Sequence, residues 1–324
     1  MKTAIVHPNS LIGQSVRERL KESNVLQVDC LVTTREDEVG TLAEAGGEAA
    51  LIQQLSGAEA DLYFVCGTPQ EQQAVSSLVE RGIVIHMEPT QLKSVPYSVA
   101  GLIPLDEATA IPNRIYCPSA FSVALGLLIA PLAELNPTGS VVVLRGASSM
   151  GGEALDELLE QTRSILNFSG DMPTEALSVQ LAFNAVDTDP KLDVSAELAS
   201  LLPKVGLRVR TLDVGLFHGV GLAIDLTIPA TGEVSDCSHK IARRLSSSPY
   251  IEVQNHDNPL GTVTGAAANQ IMLGRIESRA SESEDGQLAL HHLSIWAVFD
   301  NLTLSARSAV ELAEELATSS LIAN

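Results

Sequence analysis

The stretch TAIVHPNSLIGQSVRERL, Thr3 to Leu20, decides the fold. Its first four residues are β-formers in a short apolar run, and SLIGQSVRERL repeats apolar residues at helical spacing behind a possible cap at Asn9 or Ser10. A strand feeding a helix through a tight turn at the start of a chain is how a parallel, doubly wound sheet begins.

The next hundred residues keep that rhythm. VLQVDCLVT (Val25–Thr33) and DLYFVC (Asp61–Cys66) read as strands, and PQEQQAVSSLVERG (Pro69–Gly82) reads as a helix with proline at its start and glycine past its end. IVIHM (Ile83–Met87) reads as another strand. A Rossmann-type parallel sheet is expected over residues 1–119, completed by a C-terminal helix at 304–324.

Beyond Pro118 the rhythm changes. A helix is expected from about Phe121 to Leu135, then the strand SVVVLRG and the long helix GGEALDELLEQTRSIL. Alternating segments follow: LRVRTLDV, LFHGVGLAIDLTI (a strand carrying His218), VTGAAANQIMLGRIES and LALHHLSIWAVF, with ESRASESEDGQ as a polar hairpin loop. Residues 120–303 are therefore expected to form an α+β domain with a mixed or antiparallel sheet, so the chain is α/β overall.

Composition excludes several functions. Forty acidic residues against twenty basic give a formal charge of −20 over 324 residues, and the densest basic patch, KIARRL, is short and isolated. Nucleic acid and anionic membrane surfaces, which require clustered Lys and Arg, are not expected partners. No apolar run reaches the roughly 18 residues of a membrane span, and MKTAIVHPNS is too short an apolar segment for a signal peptide. Cys30, Cys66, Cys117 and Cys237 show no metal-type spacing and read as free thiols in a reducing, cytoplasmic setting. No metal site is expected.

A dinucleotide needs glycines in the first strand-to-helix turn, so that backbone N–H groups can reach the pyrophosphate. HPNSLIG keeps only Gly13, which close helix–strand packing explains equally well. His7, Pro8 and Ser10 stand where the turn should be open, and Pro8 lacks a donor.

Taken in order, EALDELLEQT (Glu153–Thr162), QLAFN (Gln180–Asn184), LFHGVGLAIDL (Leu216–Leu226) and LSIWAVFDNL (Leu293–Leu302) resemble the aspartate-semialdehyde dehydrogenase family. Within it the chain is most similar to the Usg-type paralogue that lacks the catalytic cysteine. The resemblance implies a semialdehyde-dehydrogenase-type dimerisation domain, a homodimer, a setting in bacterial amino-acid biosynthesis, and chemistry in which a cysteine thiolate attacks an aldehyde, a histidine assists and hydride passes to NADP.

Carried over residue by residue, the family's Asn-Pro-Asn-Cys turn falls on CPSA, Cys117 to Ala120, so Ala120 holds the nucleophile's position. Pro131 and Leu132 keep the register. Cys117 lies three residues upstream, roughly 10 Å away along extended chain, too far to substitute. His218 matches the acid/base histidine, followed here by Gly219 and Val220. The substrate-clamping arginine becomes Thr211, and Arg208 and Arg210, one or three residues off on a strand, point to the other face. The family glutamine falls near Arg145. The glycine-rich stretch becomes SSMG, in which Ser148 and Gly151 hold vestigial cofactor positions beside Ser149 and Met150; in the first turn, Ser10 and Gly13 do so.

These departures lead to an inactive, dimeric binding or regulatory protein with no cofactor, in which the former cleft retains at most a small-molecule ligand. The alternative is a remodelled NAD(P)-dependent oxidoreductase acting on an aldehyde or semialdehyde, with NADP as cofactor where the dinucleotide site survives.

Overall fold

The structure, a computed structural model, describes residues 1–87, 99, 102, 113–187, 194–229, 237–254, 259–266, 268–282 and 288–322. The chain divides into two units, Met1–Val123 with Leu302–Asn324, and Ala124–Asn301.

The first unit is built on a seven-stranded sheet. Its strands are β1 (Thr3–Val6), β2 (Val28–Thr33), β3 (Leu42–Ala45), β4 (Glu48–Gln54), β5 (Leu62–Val65), β6 (Ile83–His86) and β7 (Arg114–Tyr116). Their order is β3-β4-β2-β1-β5-β6-β7, with all neighbours parallel except β3 and β4. The β1 and β5 strands are buried throughout, as expected for the middle of a sheet covered on both faces. Helices α1 (Leu11–Lys21) and α2 (Pro69–Leu78) follow β1 and β5. One core face collects Ile12, Val16 and Leu20 of α1 with Val310, Ala313 and Leu316 of the C-terminal helix α8 (Asn301–Ile322).

The β3–β4 hairpin was not among the expected strands. It sits at the sheet edge with Leu42 67% and Leu51 57% exposed, so burial leaves no alternating signature. Its local signal is Gly46-Gly47, with φ of +59° and +91°, the left-handed pair that a tight two-residue hairpin demands.

In the second unit, α3 (Ala120–Ile129, which begins in the first unit) gives way at Pro131 to a 3-10 segment, Ala130–Leu135, because proline cannot continue the α-helical ladder. Then come β8 (Thr138–Arg145), α4 (Gly152–Leu166), β9 (Ala185–Asp187), α5 (Val194–Leu201), β10 (Gly206–Val214), β11 (Val220–Pro229), α6 (Cys237–Leu245), β12 (Ile251–Val253), α7 (Thr262–Gly265), β13 (Ile271–Glu282) and β14 (Leu288–Phe299). The sheet order is β12-β13-β14-β11-β8-β10-β9, with β8/β10 and β12/β13 parallel and the rest antiparallel. The sheet is thus mixed. Two expectations need correction: His218 precedes β11 rather than lying in it, and residues 262–265 form a helical turn ahead of β13. The tip of the expected hairpin loop, 283–287, lies outside the described residues.

The segments EALDELLEQT and QLAFN are joined by one side chain. Fully buried Gln161 on α4 accepts the N–H groups of Leu181 and Ala182 at 2.8 and 3.0 Å and donates to the carbonyls of Pro173 and Val179 at 2.8 and 2.9 Å. All four of its hydrogen-bonding capacities are used, which is what a buried amide requires.

Candidate functional site

In the first turn, β1 ends at Val6 and His7 takes a left-handed φ of +60°, at a cost of about 1–2 kcal/mol for a residue with a Cβ. Its ring is fully buried, with Nδ1 3.1 Å from Thr33 Oγ1 and Nε2 3.2 Å from Thr34 Oγ1. Burial lowers the His7 pKa, while the carboxylate of Glu71 pulls the other way. Ser10 caps α1: its Oγ accepts the Gly13 N–H at 3.0 Å and lies 2.7 Å from the Cys66 carbonyl oxygen. A Cβ on Gly13 would come within 2.4 Å of the His7 carbonyl oxygen, so the backbone contact here demands glycine.

Across the turn, a Cβ on Gly67 would meet His7 Cδ2 at 2.6 Å and Glu71 Oε2 at 2.7 Å. The space beside this glycine is occupied by the chain's own imidazole and carboxylate. Glu71 closes the capping box of α2 by accepting the Thr68 N–H at 2.7 Å. Arg35, just beyond β2, donates from Nε to Glu71 Oε1 at 2.5 Å and from Nη2 to Oε2 at 3.1 Å, and its Nη1 reaches Glu38 Oε1 at 3.1 Å. Burial by itself would raise the Glu71 pKa, but the Arg35 guanidinium and the Thr68 N–H outweigh it and hold the group at about 2. Sequence reasoning missed this pair, because its partners are 36 residues apart and meet only through the strand order.

Cys117 follows β7, donates its N–H to the His86 carbonyl at 2.9 Å and packs in the core with Phe64, Ile85 and Ile115. Burial pushes its thiol up to about 12. A thiol in that state is neither ionised nor reachable at neutral pH. Ala120 is the first residue of α3 and is buried. Ser119 Oγ accepts the Ser122 N–H at 3.3 Å in this first turn.

In the second unit, Arg145 ends β8 and faces Asp213 of β10 in register. Arg145 Nε and Nη2 reach the two Asp213 carboxylate oxygens at 2.6 and 3.0 Å, with only 12% and 15% of the side chains exposed. Beyond Gly146, the N–H groups of Ala147 and Ser148 donate to the carbonyls of Leu216 and Phe217 at 2.8 and 2.9 Å. These bonds tie the 147–149 turn to the loop carrying His218, so Arg145, Ser148 and His218 share one loop cluster. Ser148 Oγ donates to Asn301 Oδ1 at 3.0 Å. Gly151, with φ of +104°, caps α4 in open space, and His218 is exposed.

Thr211 is half-buried on β10, while Arg208 and Arg210 lie on the alternate, exposed face, with Arg210 3.5 Å from Asp187. Asp213 is the residue that sequence reasoning passed over. It shares Thr211's face two residues on, and parallel pairing of β10 with β8 is what brings it to Arg145.

Among the described residues, no group of three or more His, Cys, Asp or Glu is arranged to hold a metal ion, and no helix is long and apolar enough to cross a membrane.

No protein-family model matches the sequence. An aspartate-semialdehyde dehydrogenase from Synechocystis sp. is 26% identical over 194 residues, 57% of this chain and 56% of that protein, so the match spans little more than half of the relative's length. Among solved structures, a probable aspartate-semialdehyde dehydrogenase from Pseudomonas aeruginosa superposes with a TM-score of 0.82 at 21% identity, covering 98% of both chains. Aspartate semialdehyde dehydrogenase II from Vibrio cholerae, complexed with ASA, gives 0.82 at 19% identity, again over 98% of each chain. The enzyme from Francisella tularensis gives 0.75 at 16%, over 98% of this chain and 100% of its own. The two mixed sheets, their helices and the Synechocystis match together establish that this chain is homologous to the aspartate-semialdehyde dehydrogenases and has their fold.

Proposed function

We propose that this chain is a catalytically inactive homologue of the aspartate-semialdehyde dehydrogenases, a Usg-type protein that acts as a homodimeric binding or regulatory component. Ala120 carries the reading. It stands at the start of α3, where the proline register of CPSA puts the nucleophile, and a methyl group cannot form an acyl-enzyme. The nearest thiol in sequence, Cys117, is sealed in the core with its pKa pushed up to about 12.

The first turn supports a loss of NADP as well. His7 and Glu71 fill the space beside Gly67, Ser10 takes the Gly13 N–H, and Arg35 is engaged by Glu71 and Glu38. A pyrophosphate needs open backbone amides and glycine there, and these residues do not fit one. In the second unit, Arg145 stands in the family glutamine's position with its guanidinium committed to Asp213. His218, exposed ahead of β11, has no thiol to serve.

Calorimetric titration of NADP(H) and NAD(H) into the full chain tests this reading. No saturable heat is expected; saturable binding in the micromolar range would overturn it.

A further inference from the structure

Helix α2 is attached to the first sheet differently from the helices on the opposite face. There α1 buries Ile12, Val16 and Leu20, and α8 buries Val310, Leu312, Ala313 and Leu316, all in one core. On α2 the covered residues are Glu71, Gln72, Val75 and Ser76, with Val79 just past its end. Only the two valines are apolar, packed with Val6, Val65 and Val84, and the helix's one leucine, Leu78, is exposed.

The rest of the attachment is polar. Fully buried Gln72 donates from Nε2 to the Gly67 carbonyl at 3.0 Å and presents Oε1 to His86 Nδ1 at 3.1 Å. Ser76 Oγ donates to the Gln72 carbonyl at 3.1 Å and lies 3.4 Å from His86 Nε2. Arg114 of β7 closes the far end, donating from Nη2 to the carbonyls of Val79 and Ser76 at 2.5 and 3.4 Å. Both nitrogens of one buried imidazole therefore bear on α2, and the cation beside them caps it.

We infer that α2 is an acid-released latch: protonation of His86 lifts this helix from the sheet while the rest of the unit stays folded. With Gln72 Nε2 spent on Gly67, its Oε1 meets the ring and Nδ1 carries the ring's proton. A second proton must enter at Nε2, under the helix, and the new charge is out of water. Tyr116 stacks on the ring, Val65 of β5 is its register neighbour, and Cys117 donates its N–H to the His86 carbonyl. Among the described residues the charge acting on the ring is that of the Arg114 guanidinium, which repels an imidazolium. At the other end of α2, His7 is faced by Glu71, Glu38 and Arg35. The two carboxylates offset part of its burial, so His86 is the more acid-sensitive of the two.

Lifting α2 gives the imidazolium water and parts it from Arg114. It uncovers little apolar surface beyond Val75 and Val79, as expected of a unit that opens locally. It also withdraws Glu71 from Gly67, so the first turn loses one of the groups that close it.

Hydrogen exchange of the full chain at pH 7 and pH 5, with each rate corrected for the intrinsic pH dependence of exchange, tests the latch. Amides of α2 are expected to lose protection by on the order of tenfold relative to those of α1 as the pH falls, from the linkage of opening to one histidine. His86→Gln keeps a donor for Gln72 and cannot titrate, so the loss should disappear. Gln72→Glu sets a carboxylate against the ring and should also abolish it, with the histidine still in place. The comparison of α1 with α2 in the unaltered chain depends on no variant's folding. Equal losses in the two helices would mean that acid acts on the whole unit and would overturn the latch. Protection of α2 that does not change with pH, or a loss undiminished in His86→Gln, would overturn it as well.

Discussion

Arg35 and Glu71 form a two-point ion pair, Nε to Oε1 at 2.5 Å and Nη2 to Oε2 at 3.1 Å, beside the first strand-to-helix turn. Glu71 is held at about 2, below its ordinary 4.5, so the fold favours the carboxylate. Its stabilisation is present above the unfolded carboxyl pKa and is lost as pH falls toward 2. The shift corresponds to about 3 kcal/mol, and screening at Arg35, 36% exposed, reduces this to roughly 1–2 kcal/mol. Glu71→Gln should cost that much at pH 7 in urea unfolding and little near pH 2. An equal cost at both pH values would show that the charge is not what holds the turn.

His86 makes the fold sensitive to acid at a higher pH than Glu71 does. It is fully buried, stacked on Tyr116 at 5.0 Å between ring centres, with Nδ1 3.1 Å from Gln72 Oε1. Burial lowers its pKa to about 4, and Arg114 adds to the effect. For a histidine held neutral, stability is complete above the unfolded value near 6.5 and falls as pH drops toward the folded value. Unfolding free energy is expected to fall by roughly 3 kcal/mol between pH 7 and pH 4 on this account, with His7 contributing in the same direction. NMR titration should find the His86 ring neutral at pH 5.5; a protonated ring there would contradict the burial.

The Arg145–Asp213 pair makes the second loop cluster structural. Removing the carboxylate by Asp213→Ala leaves a guanidinium only 12% exposed and unpaired, an expected loss of about 3–5 kcal/mol. Arg145→Gln with Asp213→Asn removes both charges and should cost much less than the sum of the single changes. Additive losses in thermal unfolding would mean that the two side chains stabilise separately.

The parts of this molecule that were legible in sequence are those in which one residue's chemistry determines its neighbourhood. Ser10 before an apolar-periodic run is a cap, and the structure has it capping α1. TAIV is buried from end to end, with Thr3 its one polar side chain, and IVIHM is buried from Val84 on, with His86 its one polar side chain, so both read as strands covered on two faces. What escaped depends on long-range placement. The Ala- and Glu-rich β3–β4 edge lacks burial and so lacks a pattern, leaving only Gly46-Gly47 to mark it. His218 lies outside β11 because Gly219, at φ +89°, breaks the extended backbone between them, and the close approach of Thr262 leaves no room for a Cβ there. Asp213 and Glu71 became visible only once strand order set them beside Arg145 and Arg35.

Thiol reactivity separates Cys117 from a nucleophile. Cys30 and Cys237 are half-buried, while Cys66 and Cys117 are buried. Iodoacetamide on the folded protein should label Cys237 and Cys30 first and reach Cys117 only on unfolding. Rapid labelling of Cys117 at neutral pH would contradict its raised pKa.

Acyl-enzyme formation is the most direct measure of whether this chain has lost its chemistry. Incubated with aspartate semialdehyde, NADP and phosphate, the protein should show no rise in nicotinamide absorbance and no added mass on any cysteine-containing peptide. Ala120→Cys alone should not restore turnover, because the first turn and the Thr211 position are altered as well. Turnover by the unaltered chain, with an acyl adduct mapped by mass spectrometry to Cys117 and abolished by Cys117→Ser, would contradict the inactive reading.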